Sequence, residues 1–263
     1  MSLHSVSVSV SSFGADAVRQ QGQQAFVALV ASAGAQYLEL REELFTATPD
    51  LPALGAAIAT QGLLCVYSSP LELWQVGSNA PAAALAHTLE RAQACGARWL
   101  KVSLGHFTPN ADLKALAALL AGKPLQLLVE NDQTAHGGRI EPLVQFFTAA
   151  RVRQVPVAMT FDIGNWQWQA QSVLGAAAQL GQHVLYVHCK GVRVSSAGKW
   201  VAVPPGLHEI DQWPRLLQSM PQARVLAIEY PLQGEDLLAV TRQEVARLAR
   251  LGSHAAAVQG ARA

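Results

Sequence analysis

Charged residues are scarce in this sequence. Asp, Glu, Lys and Arg make up 14% of the 263 residues, and the formal net charge is +1. No block of like charges occurs, so nothing favours a polyanionic partner such as a nucleic acid. This charge balance favours a protein that handles small molecules.

Cysteine is also rare. The three residues, Cys65, Cys95 and Cys189, are odd in number and have no C-x-x-C spacing, which favours small buried side chains over a bridge or a thiolate metal site. The N-terminal MSLHSVSVSV has no signal-peptide pattern, and no apolar run approaches the roughly 20 residues that span a bilayer. We therefore expect a cytoplasmic protein without membrane contact.

Glycine-rich nucleotide fingerprints are missing as well, since neither G-x-G-x-x-G nor G-x-x-x-x-G-K-[ST] occurs. Hydrophobic residues, in contrast, make up 51% of the chain, enough for a large buried core. Eight strand-like stretches alternate with eight helix-like stretches rich in Ala, Leu and Gln. The predicted strands are 4–10, 36–41, 63–68, 98–103, 125–130, 157–162, 184–190 and 224–229. The predicted helices are 23–33, 50–61, 81–95, 111–121, 140–152, 170–181, 211–219 and 235–251.

This alternation predicts an α/β fold, a single-domain (β/α)8 TIM barrel of parallel strands. A doubly wound open sheet is the alternative, but it usually has fewer strands and often a glycine-rich first turn. We expect the barrel to occupy residues 1–251 and an Ala-rich C-terminal tail to follow over 252–263. The longest irregular connection, 191–208, is expected to form a lid at the active face.

Charged side chains alternate with aliphatic ones along the predicted strands. Because successive strand side chains point to opposite faces, the aliphatic set meets the helices and the charged set points into the barrel. An isolated buried charge costs several kcal/mol unless it is paired or bound to a metal. The inward set comprises Glu39, Arg41, Lys101, Glu130, Asp162, His188, Lys190 and Glu229.

Four of these residues lie at the C-terminal ends of strands five to eight, where such barrels carry their catalytic groups. Glu130, Asp162, His188 and Glu229 offer three carboxylates and one imidazole, which suits one divalent metal ion: Mn²⁺, Mg²⁺, Co²⁺ or Zn²⁺. The alternative is a set of buried ion pairs with Arg41, Lys101 and Lys190. Nearby, Glu72, His106 and His208 could reach the mouth of the barrel.

With these residues the sequence resembles the xylose-isomerase-like TIM-barrel family of sugar phosphate isomerases and epimerases. The resemblance implies that Glu130, Asp162, His188 and Glu229 are the ligands of one divalent metal. His188 and Lys190 match the family's H-x-K element. The motifs ELREELF, SSPLELW, LKVSLG, LLVENDQT with GGRIE, MTFDIGNW and YVHCK resemble the epimerase-type branch of bacterial 2-ketogluconate utilisation.

Two positions depart from the family pattern. Asn165 replaces a His found three residues after the strand-six Asp in many members, and Gly191 replaces an Asp that often follows H-x-K. The metal site should survive both changes, whereas substrate identity is less constrained.

The chemistry predicted for this site is proton abstraction next to a carbonyl, with Glu130 and Glu229 as the catalytic carboxylates on opposite faces of a keto-sugar, a sugar acid or its phosphate. Return of the proton to the same carbon gives epimerisation, and return to the neighbouring carbon gives isomerisation. Assembly into a homo-oligomer is left open. The predicted substrate-binding residues are Glu39, Arg41, Lys101, Asn165, Trp166 and Lys190.

Three other functions are alternatives to this isomerase or epimerase chemistry. A metal-dependent dehydratase of a hydroxy-keto acid or polyol would share the first step and differ in the group that leaves. A non-catalytic sugar-acid binding protein would keep the barrel but need not keep all four ligands. A three-zinc nuclease of the endonuclease IV type would need more histidines on the early strands and after strand six, and Asn165 stands at the latter position.

Overall fold

A closed barrel of eight parallel strands forms the centre of the computed structural model, which describes residues 4–260 and the side chains of residues 4–251. The barrel strands follow one another around the ring in chain order and close by pairing the last strand with the first. The predicted fold class is therefore confirmed, and so are all eight predicted strands. They are β1 (Ser5–Ser9), β2 (Tyr37–Arg41), β3 (Leu64–Trp74), β4 (Ala97–Gly105), β5 (Gln126–Glu130), β6 (Val157–Asp162), β7 (Val184–Cys189) and β10 (Val225–Ile228).

Helices separate successive barrel strands and cover the outside of the sheet. Asp50, Asp112 and Ser172 cap three of them, because each side-chain oxygen accepts a hydrogen bond from the backbone N–H three residues later. The helices are α1 (Ala15–Gln21), α2 (Val27–Ser32), α3 (Leu51–Thr60), α4 (Leu85–Ala94), α5 (Leu113–Leu120), α6 (Ile140–Val152), α7 (Val173–Leu180), α8 (Leu207–Gln218) and α9 (Leu237–Gly260).

The first connection differs from its prediction. Instead of one helix over 23–33, the chain forms α1, a short 3₁₀ segment over 23–26, and α2. Gly22 separates α1 from the 3₁₀ segment with a φ of +79°, a conformation that interrupts a right-handed helix and that glycine adopts without strain. The Gln23 amide then hydrogen-bonds both backbone polar groups of Arg41, at 2.7 and 2.9 Å, which fixes the end of β2.

The third strand is longer than predicted. It continues past Ser68 to Trp74, and its pairing with β4 shifts between Ser68 and Glu72. Pro70 lies within this irregular part and cannot donate a ladder hydrogen bond. The extension carries Glu72 to the mouth of the barrel.

The predicted irregular connection 191–208 is wrong in its secondary structure. Residues Gly191–Val194 (β8) and Trp200–Val203 (β9) form an antiparallel hairpin, whose turn contains Gly198 at φ +73°. Valines at alternate positions favour these strands. The hairpin is tied to α8 by Arg193, whose guanidinium donates to both carboxylate oxygens of Glu209 at 2.6 and 3.0 Å.

The barrel interior has an apolar layer below a polar one. Tyr37 stacks on Trp99 with ring centroids 5.3 Å apart, and Trp99 contacts Tyr186 at 5.4 Å. Two residues later on the same strands, the inward positions are Glu39, Lys101 and His188, as the alternation predicted. The complete apolar layer consists of Tyr37, Val66, Trp99, Leu128, Ala158, Tyr186, Val225 and Ala227.

The last helix, α9, passes through the predicted start of the Ala-rich tail at residue 252, and its backbone is helical to Gly260. Residues 261–263 of that tail lie outside the described part of the chain. Within residues 4–260, none of the helices has the length and apolarity required for a bilayer span. Cys65, Cys95 and Cys189 are buried and free, with the Sγ atoms of Cys65 and Cys95 3.9 Å apart.

Candidate metal and substrate site

The ends of β5, β6, β7 and β10 bring the four predicted metal ligands together. One ligand atom from each of Glu130, Asp162, His188 and Glu229 lies within 4.8 Å of the other three. His188 Nδ1 is 3.0 Å from Glu130 Oε1, 3.0 Å from Glu229 Oε2 and 3.8 Å from Asp162 Oδ2. The imidazole nitrogen therefore faces all three carboxylates.

Three of these atoms are buried without a well-aligned hydrogen-bond partner: Glu130 Oε1, Asp162 Oδ2 and His188 Nδ1. Buried polar atoms are nearly always hydrogen-bonded, so three unpartnered atoms converging on one point need an explanation. Oxygen and imidazole donors at this spacing suit a divalent cation. The residues present fit the predicted metal.

Glu39 lies behind the histidine. Its carboxylate is fully buried and accepts from His188 Nε2 at 2.7 Å, while the Tyr186 hydroxyl lies 2.8 Å from it. A carboxylate on the far nitrogen fixes the orientation of an imidazole ligand and raises its basicity. Burial alone would raise the pKa of Glu39, but the charges of His188 and Lys101 dominate and lower it to about 2.

Three cations surround the carboxylates. Lys101 Nζ is 2.6 Å from Glu130 Oε2, and Arg41 Nη1 is 2.6 Å from Glu229 Oε1. Lys190 Nζ lies 2.6 Å from Asp162 Oδ2 and 2.8 Å from Glu229 Oε2. The predicted alternative, a network of buried ion pairs, is therefore present around the ligand set, although Glu130 Oε1, Asp162 Oδ2 and His188 Nδ1 have no well-aligned hydrogen bond within it.

The surrounding charges lower the pKa of both Glu130 and Glu229, the two candidate ligands whose side chains are slightly exposed. Burial would raise the pKa of Glu229, but His188 and Lys190 hold it well below its usual range. Burial would likewise raise the pKa of Glu130, and Lys101 with His188 lowers it. Both carboxylates are therefore ionised at neutral pH, as a metal ligand or a proton acceptor must be.

Asn131 joins the ends of β5 and β6. Its side-chain amide exchanges two hydrogen bonds with the Asp162 backbone, at 2.9 and 2.8 Å, and its backbone carbonyl oxygen accepts from Asn165 Nδ2 at 2.9 Å. Asp162 Oδ1 accepts from the backbone N–H groups of Gly164 and Asn165, which leaves Oδ2 to face His188. Asn165, at the first departure from the family pattern, thus helps to fix a ligand.

The second departure, Gly191, begins β8. A Cβ at this position would lie 3.1 Å from the Cα of Pro205 and 3.2 Å from the carbonyl oxygen of Pro204. The close approach of the Pro204–Pro205 segment therefore leaves little room for the Asp that many family members have here.

A cavity of about 350 Å³ opens above the ligand set, within the size range of small-molecule sites. Four of the predicted substrate-binding residues line it: Arg41, Lys101, Asn165 and Lys190. Glu39 and Trp166 do not. Glu39 is sealed behind His188, and Trp166 is fully buried in the hydrophobic core against Phe161, with ring centroids 5.3 Å apart, so neither position fits the predicted contact with substrate.

Several lining residues were not predicted from the sequence. All but one of them are polar, and most come from the irregular half of β3 and from the segment after β5, where the strand register and the loop path decide which side chains face inward. Asp132 Oδ1 accepts from the Thr134 backbone and hydroxyl, at 2.7 and 2.6 Å, and shapes that segment. The unpredicted residues are Glu43, Ser68, Ser69, Pro70, Ser103, Asp132, Gln133 and Thr134.

The three mouth residues suggested by the sequence differ in their placement. Glu72 lines the cavity, and His106 lies beside it with its ring stacked on that of His136. His208 is exposed on α8 and does not line the cavity.

Glu39→Gln tests the positioning of His188. Glutamine keeps an oxygen acceptor but removes the charge behind the imidazole, so we expect Mn²⁺ affinity to fall about 10- to 100-fold. Calorimetric titration with Mn²⁺ measures the affinity, and ¹⁵N NMR of the His188 ring reports its tautomer. Glu244→Gln on α9, whose side chain is 13% exposed and accepts a hydrogen bond from the Tyr230 hydroxyl, should leave both unchanged. Unaltered Mn²⁺ affinity in Glu39→Gln would refute this role.

Solved structures with the same fold extend over nearly the whole chain. An L-ribulose 3-epimerase superposes with a TM-score of 0.68 at 16% identity, with 98% of each chain covered. A xylose isomerase domain protein from Alicyclobacillus acidocaldarius gives 0.63 at 18%, covering 95% of this chain and 99% of the other. The probable 3-DHS dehydratase from Bacillus anthracis gives 0.63 at 12%, covering 93% and 98%.

At these identities the similarity shows a shared TIM-barrel fold. Comparison with protein-family models and with curated proteins gives no match. The function therefore has to be argued from the site itself.

Proposed function

We propose that the protein is a divalent-metal-dependent sugar isomerase or epimerase that moves a proton next to a carbonyl. The observation that carries this proposal is the difference in exposure within the ligand set. The side chains of Glu130 and Glu229 are each 12% exposed, whereas Asp162 and His188 are 0% exposed. Two ionised carboxylates thus face the cavity from the ends of β5 and β10, with the two buried ligands behind them.

Glu130, Asp162, His188 and Glu229 would hold the metal. When bound, the cation would act as a Lewis acid that polarises the substrate carbonyl and stabilises the negative charge that develops on its oxygen. Solved structures of epimerases with the same fold are consistent with this proposal.

The carboxylates of Glu130 and Glu229 would act as general base and general acid. One removes the proton from the carbon beside the carbonyl and becomes protonated, while the other, on the opposite side of the cavity, takes up a proton from solvent and delivers it to the same carbon to give the epimer. Lys101, 2.6 Å from Glu130, and Arg41, 2.6 Å from Glu229, keep each carboxylate ionised and oriented.

Charge at the cavity favours an unphosphorylated substrate. Arg41, Lys101 and Lys190 are the cations that line it, against the carboxylates of Glu43, Glu72, Glu130, Asp132 and Glu229. Glu39 and Asp162 add two more carboxylates directly behind. A divalent cation would not reverse this excess of negative charge, and each lining cation is already paired. We therefore propose a keto-sugar that is neutral or carries a single carboxylate, the latter as the resemblance to the 2-ketogluconate branch suggests.

The proposal predicts a preference for free sugars over their phosphates. We expect kcat/KM for a ketose or keto-sugar acid to exceed that for the matching phosphate ester by at least about 10-fold, because repulsion of the dianion costs about 1.4 kcal/mol or more. Chromatographic analysis of Mn²⁺-loaded protein with paired substrates measures the ratio. A ratio of one or below would contradict the charge argument while leaving the proton-transfer chemistry in place.

A dehydratase is the second candidate. It is favoured by the structural similarity to the probable 3-DHS dehydratase, and the same carboxylates could abstract a proton before a hydroxyl group leaves. Appearance of an unsaturated product in the same incubations would move the assignment to this reaction.

A further inference from the structure

A second cluster of metal-binding side chains lies at the mouth of the barrel. Glu72, His106 and His136 come from the end of β3, the residue after β4 and the segment after β5, and one ligand atom of each lies within 4.8 Å of the others. His136 Nε2 is 2.8 Å from Glu72 Oε1, and the two imidazole rings stack with centroids 3.6 Å apart. The chain therefore brings three donors from distant segments to one point.

The backbone enforces the approach of Glu72 and His106. Gly105 has a φ of +71°, and a Cβ there would lie 2.3 Å from the Trp74 carbonyl oxygen and 2.9 Å from the Glu72 Cβ. The N–H of His106 donates to the same Trp74 carbonyl at 2.7 Å. Since only glycine fits at position 105, the end of β4 lies directly against the end of β3.

The third donor is fixed by the segment after β5. Asp132 Oδ1 accepts two hydrogen bonds from Thr134, whose Oγ1 accepts from the Gly137 backbone at 2.9 Å. His136 lies in the chain between Thr134 and Gly137, so the hydrogen bond that joins these two residues holds its backbone in place. All three cluster residues are partly exposed, and Glu72 also lines the central cavity, so an ion could enter from solvent.

We propose that Glu72, His106 and His136 bind a second divalent transition-metal ion at the mouth of the cavity. Two imidazoles and one carboxylate suit Zn²⁺, Co²⁺ or Ni²⁺ and disfavour Mg²⁺. Tetrahedral coordination places ligand atoms roughly 3.4 Å apart, so starting from separations of 4.8 Å or less, no pair of ligand atoms needs to approach by more than about 1.4 Å. Three protein ligands leave a coordination position for water or for a hydroxyl group of a molecule in the cavity.

The two sites differ in donor chemistry, which separates them experimentally. The central set has three carboxylates and one imidazole, and the mouth set has one carboxylate and two imidazoles. Mn²⁺ is therefore expected to fill the central set, while Zn²⁺ fills both. The mouth site does not depend on the proposed catalytic function.

Zn²⁺ titration of metal-free protein, read by bound metal after desalting and by ¹⁵N NMR of histidine rings, tests the proposal. Wild type should bind two equivalents and shift His106 and His136. The double variant His106→Gln with His136→Gln should bind one, and Asp162→Asn should lose the central ion and keep the other. Glu72→Gln retains a hydrogen-bond partner for His136. It should weaken Zn²⁺ binding at the mouth site and leave the thermal midpoint of the metal-free protein unchanged.

The proposal is overturned if the double variant binds as much Zn²⁺ as wild type, or if the rings of His106 and His136 do not shift when Zn²⁺ is added. A single bound equivalent that the double variant loses would sustain the mouth site and argue against the central one. If wild type binds a single equivalent that only Asp162→Asn loses, the central site is supported and the mouth site is overturned.

Discussion

Glu130→Gln and Glu229→Gln are each expected to lower kcat/KM by at least about 10³-fold. Each change removes a charged ligand of the proposed metal and one of the two carboxylates proposed to move the proton, and general acid–base catalysis alone contributes about 10²- to 10⁴-fold. Glutamine has the size of glutamate, so the packing of the site is preserved. Product formation from a panel of ketoses and keto-sugar acids, followed by chromatography, measures the effect.

Glu244→Gln is the matched control for these variants. The Glu244 side chain is 13% exposed and hydrogen-bonded to Tyr230, so it resembles the two site glutamates in burial but lies on the outer helix α9. It should lose stability without losing turnover. Near-normal turnover in either Glu130→Gln or Glu229→Gln would contradict the assigned chemistry.

Removal of the metal is expected to abolish turnover and to lower the thermal midpoint. A ligand at 100 times its dissociation constant stabilises the folded state by about 2.7 kcal/mol. For a chain of this size that corresponds to a change of about 5–10 °C. Chelation followed by calorimetry, with and without added Mn²⁺, measures both effects.

Asp162→Asn separates metal binding from the ion pairs around it. The variant removes a fully buried ligand but leaves the pairs of Lys101 with Glu130 and Arg41 with Glu229. The Mn²⁺-dependent rise in midpoint should vanish in this variant. If Mn²⁺ fails to stabilise the wild type, the carboxylates and cations form only a network of buried ion pairs.

The barrel could be predicted from the sequence because its signals are local and repeated. Aliphatic residues alternate with charged ones in most of the strands, and this period of two fixes which side chains point inward. Glu39, Lys101 and His188 lie inside for that reason. The positions of the four candidate ligands followed because each lies at, or within one residue of, the C-terminal end of its strand, and strand ends meet at one face of the barrel.

Other parts of the site depend on contacts between distant segments. Whether Glu39 meets substrate or supports His188 is decided by the barrel radius and by Tyr186, neither of which is visible in a strand pattern. Trp166 follows Asp162 in sequence but turns into the core against Phe161. His136 reaches Glu72 only because the 131–139 segment folds across the mouth.

Solvent deuterium uptake is the most direct test of the central claim. Mn²⁺-loaded protein is incubated in D₂O with ketoses, keto-sugar acids and their phosphates, and NMR locates any new deuterium. We expect deuterium to appear at a carbon beside the carbonyl of an unphosphorylated substrate. We expect this incorporation to be lost in Glu130→Gln and in Glu229→Gln. No exchange in any substrate, with Mn²⁺ shown to be bound, would contradict a proton-transfer enzyme of this class.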